Sequence, residues 1–100
     1  EKKIMGSILE IVTFIQTGEN KKIGRVVSNI IEILKQEDLE YKSLYSQLFF
    51  MEKFPVNAKI VVNKYSNSHQ NALVPSMHFM AMIFEIITTL QAYIKAMTPK

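Results

Sequence analysis

The sequence predicts an all-α fold, either an antiparallel four-helix bundle or a related bundle of five helices. Apolar residues recur every three or four positions through successive segments, which is the period of a helix packed on one side. Gly, Pro, Asn and Asp stand between these segments, where helices begin and end. One hundred residues fall in the commonest size range of a single domain. We therefore expect residues 1–100 to form one helical bundle.

The first two helices are predicted on either side of the turn Thr17-Gly18-Glu19-Asn20. Gly18 can adopt the left-handed conformation that closes a helix, and Asn20 is a suitable N-cap for the next one. Apolar steps of three and four, not two, exclude strands here. The expected core residues of this pair are Ile4, Ile8, Ile11, Val12, Ile15, Ile23, Val26, Val27, Ile30, Ile31 and Leu34.

A third helix is predicted from a cap at Asp38 to about Lys53, and a short fourth helix has Pro55 in its first turn. Residues 58–62 also fit a short strand, but no partner strand is evident elsewhere, which favours a helix. Residues 66–71 are polar and uncharged, as in a loop or a frayed helix end. The expected inner faces comprise Tyr41, Leu44, Tyr45, Leu48, Met51, Ala58, Val61, Val62 and Tyr65.

The last helix is predicted to begin at Pro75 and to end at Pro99. Glu85 is the only formally charged residue between Tyr65 and Ile94. We therefore expect this helix either to be the most enclosed element or to meet a partner. Its expected core stripe is Met77, Met80, Phe84, Ile87, Ile94 and Met97, widened by Phe79, Ile83, Leu90 and Tyr93.

The stretch 74–94 has about the length of a membrane-spanning helix, for which roughly 20 apolar residues are needed. Five polar residues interrupt it, and a central carboxylate is costly in a bilayer. They are His78, Glu85, Thr88, Thr89 and Gln91. The sequence therefore favours a buried helix over a membrane span, and peripheral membrane contact stays open.

The composition limits the cellular compartments and the kinds of chemical site that this chain fits. The chain has no Cys, which excludes disulfides, thiolate zinc sites and Cys nucleophiles and suits a reducing compartment. No signal peptide is evident, because the apolar stretch near the N-terminus is broken at Glu10. We therefore expect a cytoplasmic protein. Its net charge of +3 permits contact with anionic partners without requiring it.

The sequence shows no catalytic, metal or cofactor motif. His69 and His78 lack the i, i+4 spacing of a helical metal pair, so surface or capping roles are favoured. The three Gly residues are isolated and cannot form a phosphate-binding loop. Neighbouring carboxylates at 37–40 are explained by the start of a helix. We therefore expect no enzyme activity and no cofactor.

Candidate partner-binding residues are Phe49, Phe50, Tyr93 and Lys95. Three successive large apolar residues at 49–51 cannot all face one side of a helix, so at least one must reach solvent or a second helix. A second packing surface inside the bundle is the alternative. Nucleic-acid binding is disfavoured because only one of the 12 basic residues is Arg, and base recognition favours Arg.

One family resemblance is present in the order and spacing of the helices. An amphipathic segment at 58–69 is followed by a short polar turn and by Leu73-Val74-Pro75-Ser76, which opens a long last helix. The opening helix pair around Thr17-Gly18-Glu19-Asn20 adds to the pattern. In these features the chain resembles the immunity proteins that protect producers of pediocin-like (class IIa) bacteriocins.

This resemblance implies a soluble antiparallel four-helix bundle in the cytoplasm with no chemistry of its own. Such proteins act inside the cell on the complex of the bacteriocin with its sugar-transporter receptor, and recognition lies toward the C-terminal half. No family binding residue transfers to a numbered position. The alternative is a helical assembly module, for example a viral or phage fragment that forms a homodimer through Phe49, Phe50 and the last helix. A basic nucleic-acid-binding domain ranks third.

Overall fold

The computed structural model describes residues 2–97, which form five α-helices and no β-strand. The prediction of an all-α bundle is confirmed, in its five-helix form. Single 3₁₀ turns at Asn20–Lys22 and His69–Asn71 precede the second helix and follow the fourth. The helices are α1 (Lys2–Thr17), α2 (Ile23–Gln36), α3 (Tyr41–Phe50), α4 (Val56–Ser68) and α5 (Pro75–Met97).

The five helices pack as two hairpins with α5 against both. α1 pairs with α2, α3 pairs with α4, and α5 lies mainly against α4 and α1. Lys64 on α4 contacts Glu85 on α5. Ser68, one turn later on α4, contacts His78, about two turns earlier on α5. This reversed order shows that α4 and α5 run antiparallel, as their short connection requires.

One continuous core joins all five helices and the connection between α3 and α4. The largest fully buried side chains include Phe54 in that connection and Phe79 near the start of α5. The other core residues are Ile4, Met5, Ile8, Ile11, Val12, Ile15, Ile23, Val26, Ile30, Leu44, Tyr45, Leu48, Ala58, Val61, Val62, Met80, Met82, Ile83, Ile86 and Leu90. The predicted inner faces of the first four helices are therefore confirmed, with several members at the core boundary.

Gly18 ends α1 in the predicted conformation. Its φ of +80° lies in the left-handed region, which Gly adopts without the steric cost of a Cβ. The amide of Glu19 donates a hydrogen bond to the carbonyl of Phe14 at 2.7 Å, closing the helix end. Asn20, expected to cap the next helix, instead opens a 3₁₀ turn, and α2 begins at Ile23.

The predicted boundaries of the third helix were too wide. α3 begins at Tyr41 rather than directly after Asp38, and it ends at Phe50 rather than near Lys53. At the C-terminal end, the chain turns inward to bury Phe54, whose amide donates to the carbonyl of Met51 at 3.2 Å. Residues 58–62 are helical, and 66–71 form the end of α4 and a 3₁₀ turn.

The predicted core stripe of the last helix was partly wrong. Met77, Phe84 and Met97 are exposed, Phe84 at 47%. Met80 of that stripe is buried, and Ile87 and Ile94 pack against the core as partly buried residues. Of the residues expected to widen the stripe, Tyr93 is exposed, whereas Phe79, Ile83 and Leu90 are buried together with Met82 and Ile86. A helix that is apolar around most of its circumference has no unique hydrophobic stripe, so periodicity could not identify the buried side. Pro99, expected to end this helix, lies outside the described residues.

Within the described range, α5 is the one helix whose length and apolar content would suit a membrane crossing. The mean hydropathy of its most apolar stretch is 1.3, and 39% of that stretch is buried in the bundle. The core helix of a water-soluble bundle has the same length and apolar content.

Candidate functional site

An open apolar groove lies between the start of α4 and the end of α5. We call it the α4–α5 groove, and its lining residues are Pro55, Val56, Asn57, Ile60 and Tyr93. The large apolar members are strongly exposed, with Val56 at 76%, Ile60 at 67% and Tyr93 at 54%. Exposed apolar residues that adjoin one another, rather than standing singly, are a mark of binding surfaces. The groove is therefore a candidate binding site.

The helical period explains how this groove forms. Val56 and Ile60 are four residues apart and stand on one face of α4, while Ala58, Val61 and Val62 anchor the opposite face in the core. Because α4 and α5 are antiparallel, the end of α5 passes the start of α4. Tyr93 thereby closes the groove on its second side.

The lining of the groove carries no formal charge but does include hydrogen-bonding groups. Asn57 supplies an amide and Tyr93 a phenolic hydroxyl. About two turns away along α4 and α5, Lys64 forms an ion pair with Glu85 at 3.0 Å. An apolar floor with a few polar groups at its margin is the usual composition of a protein-binding patch.

The candidate residues Phe49 and Phe50 form a second exposed feature at the same end of the bundle. Their rings meet edge to face, with centroids 5.2 Å apart. Phe50 is 79% exposed and Phe49 is at the margin of exposure. They end α3 just before the short connection into α4, so they lie near the beginning of the α4–α5 groove.

The structure separates the other two candidates, Tyr93 and Lys95. Tyr93 lines the α4–α5 groove. Lys95 is exposed on a different side of α5, beside Asn20 and Gln91, where the Gln91 amide donates to the Asn20 side chain at 3.1 Å. The four candidates therefore do not form one site: Phe49, Phe50 and Tyr93 share one end of the bundle, and Lys95 faces elsewhere.

A Tyr–His cluster joins α3, the end of α4 and the start of α5. The rings of His69 and His78 lie 5.2 Å apart, although nine residues separate them in sequence. Tyr45 on α3 shares a hydrogen bond with Nδ1 of His69. Nε2 of His78 lies 2.8 Å from the carbonyl of Tyr65 on α4. Sequence spacing missed this cluster because the turn at 69–71 folds the two His together.

Burial shapes the electrostatics of this cluster. It lowers the pKa of His69, and the nearby His78 lowers it further. Burial also raises the pKa of Tyr45, with a smaller contribution from Tyr41. These directions favour a neutral His69 whose Nδ1 accepts the hydrogen of the Tyr45 hydroxyl. The cluster therefore behaves as a hydrogen-bonded joint between helices at neutral pH.

Glu85, the one acidic residue of α5, is bound by two side chains of α4. Its carboxylate accepts hydrogen bonds from the Tyr65 hydroxyl at 2.8 Å and from the Lys64 ammonium at 3.0 Å. These two donors lower the pKa of Glu85. The single negative charge of α5 is thus directed sideways into the α4 contact and away from the outer face of α5.

A basic groove between α1 and α2 also carries acidic side chains. Lys21, Lys22 and Arg25 border a groove between α1 and α2, but Glu10 lies in the same groove and Glu19 pairs with Lys22 at 3.2 Å. Within residues 2–97, no three His, Cys, Asp or Glu side chains are arranged to hold a metal ion.

Comparison of the chain with protein-family models, curated proteins and solved structures returned no match.

Proposed function

We propose that this chain is a protein-binding helical bundle of the bacteriocin-immunity type. In this proposal it works inside the producing cell, where it binds the complex of a pediocin-like bacteriocin with its sugar-transporter receptor and blocks the leak. The observation that carries the binding role is the α4–α5 groove with its exposed, uncharged lining. The immunity role comes from the family resemblance of the helix pattern.

The groove suits an apolar segment of a partner. Val56 and Ile60 offer a ridge of branched side chains, and Tyr93 offers a large ring with a hydroxyl at its edge. Tyr is enriched among the residues that contribute most binding energy at interfaces, because it buries much area with little loss of conformational entropy. The groove also lies in the C-terminal half, where the resemblance places recognition.

The direct test is intracellular expression in bacteria sensitive to class IIa bacteriocins, challenged with a panel of these peptides. We expect resistance to at least one peptide, and no protection from purified protein added outside the cells. If expression gives no resistance when the panel contains the peptide encoded beside this gene, the immunity proposal is wrong.

A matched pair of variants tests whether the groove carries the effect. Ile60→Asp places a carboxylate in the groove, where a docked partner would have to desolvate it, so we expect protection to fall at least about tenfold. Asn67→Asp adds the same charge to the exposed C-terminal part of the same helix and should leave protection intact. Equal loss in both variants, with normal folding by circular dichroism, would show that the groove is not the binding site.

A further inference from the structure

The outer face of α5 is exposed and free of charge over three turns. Its members are three or four residues apart and point away from the core: Met77, Ala81, Phe84 and Thr88. Leu73, just before the helix, is 99% exposed. Glu85 does not interrupt this face, because Lys64 and Tyr65 hold its carboxylate on the α4 side.

The apolar surface continues from α5 onto α2. Ile31 and Leu34 of α2 form a shallow groove with Met77 and Met80 at the start of α5, and Lys35 stands at its edge. This surface faces away from the α4–α5 groove, since Tyr93 lies on the α4 side of α5. A partner on the outer face would therefore leave the α4–α5 groove free.

The order of large and small residues along this face is self-complementary. If a second α5 lies antiparallel with a two-fold axis beside residues 82 and 83, Met77 faces Thr88 of the other copy and Phe84 faces Ala81. Leu73 then faces Ala92. Each large side chain meets a small one, which is the arrangement that lets helices interdigitate at close range. A two-fold axis creates every such contact twice.

We propose that this chain forms a two-fold symmetric homodimer through the outer faces of its α5 helices. Charge favours the antiparallel arrangement. The antiparallel arrangement places Lys95 of each copy near the C-terminal end of α2 in the other copy. Glu37 and Asp38 follow α2 directly at this end. The C-terminal dipole of α2 adds to this negative end. Lys35 at the same place is paired with Glu32 at 3.6 Å, which reduces its repulsion of Lys95.

The available area is that of a small interface. From Leu73 to Ala92 the face is about 28 Å long at about 1.5 Å per residue. It is about 10 Å wide along α5 and about 20 Å wide at its α2 end, where the ridge of α2 adds about 9 Å. Each copy therefore offers about 300–550 Å², less than the roughly 800 Å² of a standard interface, so we expect a weak and reversible dimer.

Sedimentation velocity of the wild-type chain from about 1 µM to about 1 mM tests the proposal, because it covers the weak and intermediate range of dimer dissociation constants. We expect a reversible shift from monomer to dimer across this range. Phe84→Glu should weaken the dimer at least about tenfold, since two carboxylates would meet at the axis. Ile60→Glu, an equal change in the α4–α5 groove, should leave the dimer unchanged.

The register has its own test, because the sequence contains no Cys. A Met77→Cys, Thr88→Cys double variant should form an intermolecular disulfide under mild oxidation, since the two positions face each other across the axis. A Val56→Cys variant should not. A wild-type chain that stays monomeric, including one that binds lipid vesicles instead, would overturn the proposal. So would a dimer that Phe84→Glu leaves intact.

Discussion

His69 and His78 pack ring against ring at 5.2 Å, and through this contact the end of α4 is joined to the start of α5. Each ring is also tied to a different neighbour, His69 to Tyr45 on α3 and His78 to the carbonyl of Tyr65 on α4. Three helices therefore meet at two imidazoles. Because burial and His78 lower the pKa of His69, this joint is sensitive to pH.

The first prediction concerns that sensitivity. The unfolded chain takes up a proton on His69 near its ordinary pKa of 6.5, whereas the folded chain does so only at lower pH. The contribution of His69 to the free energy of unfolding should therefore be fully present above pH 6.5. It should be lost as the pH falls from 6.5 toward the lower pKa of His69 in the folded chain. Urea unfolding at intervals between pH 7.5 and 5 measures this slope.

The control for this prediction is His69→Asn, which keeps an acceptor for the Tyr45 hydroxyl but cannot titrate. Other ionisable groups around the ring, namely Tyr41, Tyr45, His78 and Asp38 beside Tyr41, stay in place. The lowered pKa of Glu85 adds loss of stability only below pH 4.5. An unchanged slope between pH 7.5 and 5 in the variant would show that His69 is not its source.

The second prediction distinguishes the two Phe residues of α5. Phe79→Ala should lower the free energy of unfolding by about 3–5 kcal/mol, because Phe79 is fully buried against Tyr41 and Tyr45. Phe84→Ala should cost about 1 kcal/mol or less, because this ring is half exposed. Chemical unfolding at low protein concentration, where self-association does not contribute, compares them. Equal losses would contradict the buried face described above.

The third prediction uses two glycines with opposite roles. Gly18→Ala should destabilise the chain by about 1–2 kcal/mol, because a Cβ disfavours φ of +80°. Gly6→Ala, inside α1 with open space around the added Cβ, should stabilise it by about 0.5–1 kcal/mol through the gain in helix propensity. Thermal melts of both variants decide the point, and a Gly18→Ala variant as stable as the wild type would contradict the turn geometry.

The fourth prediction concerns the coupling of Glu85 to Lys64. The Lys64 side chain is 64% exposed and that of Glu85 is 33% exposed, so solvent screens the pair and the interaction energy should be about 0.2–1 kcal/mol. A double-mutant cycle with Glu85→Gln and Lys64→Met measures it, and the coupling should shrink in high salt. A coupling that salt leaves unchanged would mean that packing, not charge, joins the two residues.

The sequence was sufficient to predict the helices because apolar residues recur at the helical period, most clearly in α1 and α2. Ile8, Ile11 and Ile15 in α1, for example, follow the helical period and are all buried. α5 differs, since large apolar residues such as Met77 and Phe84 occur on its solvent side as well. Its buried face depends on where α1 and α4 lie, which periodicity within one segment does not contain.

The candidate site was only partly predictable for a similar reason. Phe50 stood out because three large apolar residues in succession cannot all be buried on one helix. Val56 and Ile60 did not stand out in the sequence, because either residue alone is common in a helix with an apolar face. Only the antiparallel passage of α5 brings Tyr93 beside them and makes a groove. The Tyr–His cluster likewise depends on tertiary contact across the turn at 69–71.

We propose above that this bundle binds a bacteriocin–receptor complex inside the cell through the α4–α5 groove. The most direct measurement of this binding is co-purification of the epitope-tagged chain with the sugar transporter from sensitive cells, with and without the matching bacteriocin. We predict that the transporter is recovered only when bacteriocin is present, and that Ile60→Asp abolishes recovery while Asn67→Asp does not. Recovery that is absent in both conditions, or that is independent of bacteriocin, would contradict the proposal.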